Sequence, residues 1–411
     1  MTPRRVVVTG IALVSPVGNE PESVFSKLMN GQSAIEKIEI DGPRPYTNIG
    51  ARSRFDPRQY LPPQLRPESL DRVTQFSMAT AAAAVKDAGI EFTDKNRDRS
   101  GVSFGTGMGS TQTLEETFAQ SLLGDPDRVR PLTVLKVMAN ASGGNIAIQH
   151  GLGGPDLTYS CACSSSAVAI GEAFRQIRHG YADIMIAGGA EASLTFTFFK
   201  AWDAMHILAP LDIAEPSASC KPFSKNRNGL VLGEGAAMVV LEDRDSALHR
   251  GARIYGEIAG YGSSNDRAHI TKPSVEGQAH AMALALDDAR LNTDDIDYVN
   301  AHGTATLLND ATETKALKKV FGERARRIPV SSTKSMHGHL LGGAGALEFV
   351  IALLAMQHQA VPPTAHLDMP DPECDLDYVP NHGRSNQKVR AVMSNSFAFG
   401  GTNAVLIARQ P

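Results

Sequence analysis

Short β-branched or apolar runs alternate with helical stretches of ten or more residues along the whole chain. The runs at residues 5–10, 101–105, 157–160, 184–187, 236–241, 298–301 and 392–394 have the length and turn-residue flanks of buried strands. Strands alternating with helices predict layered α/β architecture with a mostly parallel sheet. One unit recurs. The helix at 77–90 ends in Lys-Asp-Ala-Gly-Ile and leads to the strand Gly-Val-Ser-Phe-Gly-Thr-Gly; the helix at 278–291 ends in Asp-Asp-Ala-Arg-Leu and leads to Asp-Tyr-Val-Asn-Ala-His-Gly-Thr. A duplicated half would leave such an echo, and so would two ordinary helix-to-strand units. The apolar helix at 346–356 is shorter than the roughly 20 residues that span a bilayer, so it reads as a buried core helix.

The 411 residues, 42% hydrophobic and 20% charged, suit a compact enzyme with a large core. A formal net charge of -4 argues against a nucleic-acid or membrane-surface protein, whose footprint would be basic. Two arginines, Arg4 and Arg5, run straight into the first strand without the apolar segment and cleavage site of a signal peptide, so a cytoplasmic protein is expected. Four cysteines, Cys161, Cys163, Cys220 and Cys374, are too few for a disulfide scaffold, and Cys-x-Cys lacks metal or redox CxxC spacing. No metal is expected, and one cysteine reads as reactive.

Four segments carry candidate chemistry. In the first, the strand ending at Ser160 passes through small residues around Cys163 into a helix. Free N–H groups and the helix dipole there favour a thiolate and lower its pKa. A small buried hydrophobe is the other reading of a free cysteine. The second, Val-Asn-Ala-His-Gly-Thr-Ala-Thr, sets His302, Thr304 and Thr306 after a strand, where α/β proteins put reacting groups. The third packs Lys334, His337 and His339 among Ser and Gly before the apolar helix, which packing alone does not explain; such a glycine-rich turn could also cradle a phosphate. In the fourth, Phe397 and Phe399 stand beside a Gly-Gly turn that suits a mobile gate or a close backbone approach to ligand. Gly105-Thr106-Gly107-Met108-Gly109 has GxGxG spacing and no acidic ribose partner, so dinucleotide binding is set aside.

Together with Val8-Thr9-Gly10, Ala187-Gly188-Gly189-Ala190-Glu191, Pro222-Phe223 and Gly233-Glu234-Gly235, these segments resemble the β-ketoacyl-acyl-carrier-protein synthases of the thiolase superfamily, especially the type II elongating branch. The resemblance implies a duplicated five-layer αβαβα fold, an N-terminal half over residues 1–250 carrying the cysteine and a C-terminal half over 251–411 carrying the histidines and lysine. By resemblance Cys163 is the acylated nucleophile, His302 and His339 the catalytic histidines, and Lys334 the lysine of the Lys-x-x-x-Gly-His motif. Glu313 resembles its carboxylate partner, Phe399 the gate and second oxyanion donor, and Thr304 and Thr306 the pantetheine-binding hydroxyls. Cys161 falls outside the motif. No cofactor is implied, because phosphopantetheine arrives on an acyl carrier protein.

Several residues depart from the housekeeping pattern: Leu307-Leu308-Asn309 in the second loop, Ala398 in the gate, His337 in place of Thr or Ser. Met108, Phe196, Phe198, Phe199 and Trp202 would wall the acyl pocket for a shorter or rigid unsaturated chain. The segment Lys200-Ala201-Trp202-Asp203-Ala204-Met205 resembles ketosynthases of type II polyketide or aryl-polyene systems, which implies specialised polyketide or aryl-polyene synthesis, with housekeeping fatty-acid elongation as the alternative and a non-catalytic chain-length-factor role as a further one. Expected partners are the carrier protein, docked on a basic rim such as Arg66, Arg128 and Arg130, and a second subunit, either identical or a chain-length-factor-like homologue.

Overall fold

A computed structural model describes residues 3–411. The strands are β1 (Val6–Val14), β2 (Glu36–Ile40), β3 (Tyr46–Gly50), β4 (Ser100–Gly105), β5 (Asp156–Tyr159), β6 (Ile184–Glu191), β7 (Gly235–Asp243), β8 (Gly256–Asn265), β9 (Tyr298–Asn300), β10 (Val330–Ser331), β11 (Ala391–Phe397) and β12 (Thr402–Arg409). β2 and β3 form a separate hairpin; the other strands join in the order β10-β9-β11-β12-β8-β1-β7-β6-β4-β5.

That order is one pattern used twice. From the middle outwards, β1-β7-β6-β4-β5 and β8-β12-β11-β9-β10 place corresponding strands at corresponding positions. In each, the first two pairings are antiparallel and the last two parallel. The two patterns meet where Val6, Val7 and Val8 of β1 pair antiparallel with Ile258, Glu257 and Gly256 of β8. The sheet is therefore mixed rather than mostly parallel. At β11 and β12 the reason is local: residues 398–401 are too few for a crossover helix, so the strands must form a hairpin.

Two helices, Ser165–Arg178 and Ala344–His358, lie between the sheet halves and share one apolar core with both. A second core packs Arg72–Ala88 on the outer face of the N-terminal half. A third packs Val275–Ala289 and Leu307–Phe321 on the outer face of the C-terminal half. The layers run helix, sheet, helix pair, sheet, helix. A helix between two sheets needs apolar residues on every side. Leu341–His358 has a mean hydropathy of 1.4 over 18 residues, enough by composition to cross a membrane, yet 89% of it is buried inside the protein.

Candidate active site

The middle layer delivers the cysteine. After β5 the chain makes a tight turn through Ala162, at φ 49°, and starts the helix Ser165–Arg178. Ser165 Oγ fastens this turn by accepting from the Cys161 N–H at 2.8 Å and donating to Ala162 O at 2.7 Å. Cys163 is left 7% exposed in an apolar cluster with Leu194, Phe199, Leu230 and Leu341. Burial pushes its thiol up to about 12, against the opposing effects of Lys334 and the backbone N–H groups of Phe399 and Cys163 itself. The lowered pKa expected from the helix start is thus reversed, because desolvation outweighs the Lys334 charge and the nearby backbone N–H groups.

Two histidines from the C-terminal half meet this sulfur. His302 follows β9 and His339 follows the short helix Lys334–His337. Sγ of Cys163 and a ring nitrogen of each histidine all lie within 4.8 Å of one another. The rings meet edge-on, 5.4 Å between centroids at 82°. Burial, then the charge of Lys334, holds both imidazoles well below the usual histidine range, so they are neutral. The Leu341 N–H donates to His339 Nδ1 at 3.3 Å. A neutral ring that accepts at Nδ1 carries its hydrogen on Nε2, and that Nε2 is buried without a hydrogen-bond partner among the described residues.

Lys334 is wholly buried. Its Nζ donates to His302 O at 2.5 Å, lies 3.5 Å from His302 Nδ1, and pairs with Glu348. This corrects the carboxylate expected beside it. Glu313 instead accepts from the N–H groups of His302 at 2.9 Å and Gly303 at 2.8 Å and from Asn395 at 3.3 Å, fixing the histidine loop by its backbone. Glu348 went unnoticed in the sequence; the available signal was one acid amid the apolar residues of its helix.

A cavity of about 340 Å³ leads to the cysteine and histidines, with Thr304, Thr306, Trp202 and Phe399 also on its wall. The Thr304 and Thr306 hydroxyls are 2.9 Å apart. Residues 3–247 match the family described as "Beta-ketoacyl synthase, N-terminal domain" and residues 255–368 match "Beta-ketoacyl synthase, C-terminal domain". The chain belongs to the β-ketoacyl synthase family. It is 43% identical to "Nodulation protein E" of Rhizobium leguminosarum bv. trifolii, covering 99% of each chain. It is 40% identical to "3-oxoacyl-[acyl-carrier-protein] synthase 2" of Staphylococcus aureus (strain N315), covering 99% of this chain and 98% of that one. The solved ishigamide ketosynthase/chain length factor is similar at a TM-score of 0.92 and 34% identity over the full length of both chains. The fold is the thiolase-like five-layer one, and the protein is an acyltransferase of the ketosynthase kind.

In this β-ketoacyl synthase only Trp202 of the expected pocket residues lines the cavity; Met108, Phe196, Phe198 and Phe199 do not. Met108 is 37% exposed on a loop whose N–H groups are taken by Glu191, and half-buried Phe198 is displaced by Phe199 beside Cys163. Consecutive residues on a helix point about 100° apart, so only one of the pair can face the cysteine. Glu191 also accepts from Gly107 N at 2.8 Å, which leaves the GxGxG turn engaged by a protein carboxylate. The additional histidine is engaged at both nitrogens, with His337 Nδ1 against Gly338 O at 2.7 Å and Nε2 against the Thr333 hydroxyl at 3.0 Å. Arg66, Arg128 and Arg130 are exposed, and Arg128 already pairs with Asp125 at 3.4 Å.

Proposed function

We propose that this synthase carries out a decarboxylative Claisen condensation in two half-reactions. In the first, Cys163 attacks the thioester carbon of an acyl group presented on an acyl carrier protein. The carbon–sulfur bond to the pantetheine breaks, and the pantetheine thiol leaves with the proton that Cys163 gives up. The N–H groups of Phe399 and Cys163 stabilise the oxyanion, each such donor contributing about 2.7–4 kcal/mol. In the second, a malonyl thioester loses carbon dioxide and its electron pair moves onto the thioester oxygen. Two Nε2–H groups, from His302 and His339, receive that oxygen; the carbanion carbon then attacks the acyl-cysteine carbonyl, the carbon–sulfur bond to Cys163 breaks to release the β-ketoacyl thioester, and the Cys163 thiolate takes a proton from solvent to become the thiol again. Lys334 orients His302 and Glu313 holds its loop, while Thr304 and Thr306 bind the pantetheine arm.

The observation that supports this reading best is the orphaned His339 Nε2, a buried donor on the ring beside Cys163 with no hydrogen-bond partner among the described residues. A base at His339 is disfavoured because its Nδ1 is already an acceptor for the Leu341 N–H. The N-terminal half, residues 1–250, supplies the nucleophile and the C-terminal half, residues 251–411, the histidines and lysine.

For the pathway, specialised polyketide or aryl-polyene synthesis is the reading we favour. Trp202 and Phe399, stacked with 6.1 Å between centroids at 24°, both line the cavity to Cys163 and present it with a flat aromatic face that suits a rigid chain. Housekeeping elongation is the second reading, favoured by 40% identity to the staphylococcal synthase. A second subunit, identical or chain-length-factor-like, would cover the free edge of β5, where Leu157 is 45% exposed. Intact mass after incubation with carrier proteins bearing saturated or polyunsaturated chains tests the reading: an adduct on wild type and none on Cys163→Ala is expected, and the preferred chain decides the pathway.

A further inference from the structure

Phe399 sits between two anchored residues and is itself unanchored by its backbone. Ala398 N donates to Thr402 O at 3.0 Å, and Gly400 N to Ile270 O at 2.7 Å, while the N–H and C=O of Phe399 bond to no backbone group among the described residues. The N–H lies close enough to the Cys163 sulfur to favour its thiolate. The two following residues, Gly400 and Gly401, have φ of 84° and 77°, a left-handed backbone that glycine adopts at little cost. Something other than the turn must hold the amide in line.

The ring supplies that hold. Phe399 is stacked on Trp202, 6.1 Å between centroids at 24°. Trp202 stands on a firm platform, the helix Phe196–Ala204. Glu115 caps this helix, accepting from Phe196 N at 3.2 Å and Thr197 N at 2.6 Å, and Phe199 on the same helix is fully buried. Both stacked residues line the cavity that ends at Cys163.

We infer that Trp202 is a positioning residue: its ring fixes Phe399 so that the Phe399 N–H stays aimed at the oxygen developing on Cys163-bound substrate. The inference rests on the condensation reading above, since it concerns the first half-reaction. An amide displaced by about 1 Å loses its alignment, and such misplacement costs up to about 100-fold in rate.

The experiment compares Trp202→Leu and Trp202→Phe with wild type in two reactions of the same sulfur. Acylation by a carrier-bound acyl thioester needs the oxyanion donor; alkylation by iodoacetamide needs only the thiol. Trp202→Leu is expected to slow acylation about tenfold or more, with Trp202→Phe restoring it to within about threefold, while alkylation stays within about twofold in both. Acylation and alkylation falling together, or acylation unchanged in Trp202→Leu, overturns the inference. Wild type that alkylates but never acylates overturns the condensation reading instead. Because Trp202 is the chain's only tryptophan, its emission gives a second measurement. Phe399→Ala should shift that emission in the free enzyme, and an unchanged spectrum also counts against the stack.

Discussion

Lys334 and Glu348 form an ion pair in which both side chains are completely excluded from solvent. Removing one partner of such a pair leaves a buried charge uncompensated, typically at about 3–5 kcal/mol, whereas replacing both with apolar residues is often close to neutral. Glu348→Ala is therefore expected to lower the denaturation midpoint sharply. The double variant Lys334→Met with Glu348→Met should recover most of that loss and still condense poorly, because His302 O and Nδ1 have lost Lys334. Chemical denaturation and turnover on the same samples separate the two effects.

The pH response of Cys163 follows from its burial. With the thiol pushed up to about 12, almost none is ionised near neutrality. The thiolate is the form that alkylates. Alkylation of folded protein by iodoacetamide should be slow at pH 7 and rise about tenfold per pH unit through pH 10. A plateau below pH 9 would mean that the site lowers the pKa after all.

Two histidines separated by one residue should behave oppositely. His337 is satisfied at both ring nitrogens within its own turn, and burial holds it near 3, so it is neutral and has no ring nitrogen left to offer a substrate. His337→Thr is expected to keep turnover within about threefold, as befits a change remote from the transition state. His339→Ala removes the orphaned Nε2 donor and should cut malonyl decarboxylation by about 100-fold or more. Carbon dioxide release from a malonyl thioester checks both.

Glu191 ties the two halves of the molecule together. Its Oε2 accepts from Gly107 N at 2.8 Å and from Gly342 N, just beyond His339, at 3.0 Å, while Oε1 meets the Thr106 and Ser193 hydroxyls at 3.3 and 3.2 Å. The Met108 N–H is shared between Oε1 at 3.1 Å and Oε2 at 3.3 Å, so a glutamine can keep its oxygen toward all three amides at Oε2 and donate to hydroxyls that rotate to accept. Glu191→Gln should stay within about 1 kcal/mol of wild-type stability, and Glu191→Ala should lose about 2–3 kcal/mol by orphaning several buried donors. Urea unfolding of the two variants is the measurement.

Much of this molecule was legible before any coordinates. The strand runs at 101–105, 184–187 and 236–241 lie inside β4, β6 and β7, because near-continuous apolar runs mark strands buried on both faces. The echo between the helices at 77–90 and 278–291 anticipated equivalent outer helices, Arg72–Ala88 and Val275–Ala289. β8 escaped notice because Gly256, Gly260 and Gly262 break its pattern; a Cβ on Gly262 would lie 2.1 Å from Ala281 O, so these residues serve close helix packing rather than strand propensity. Cys163, His302, His339 and Lys334 were each marked by a short motif after a strand, since such chemistry needs a particular residue type at a particular point of the chain.

What sequence could not decide is which groups those residues meet. Glu348 rather than Glu313 pairs with Lys334, Phe199 rather than Phe198 packs by Cys163, and Trp202 stacks on Phe399. Each contact joins segments far apart in the chain, and its partner is chosen by helix phase and by how the layers close. The Cys163 thiol shows the same division. Local sequence set its place at a helix start, where a thiolate is favoured, but its ionisation was settled by the tertiary burial of the sulfur, because desolvation depends on every atom that surrounds a charge and not on its neighbours along the chain.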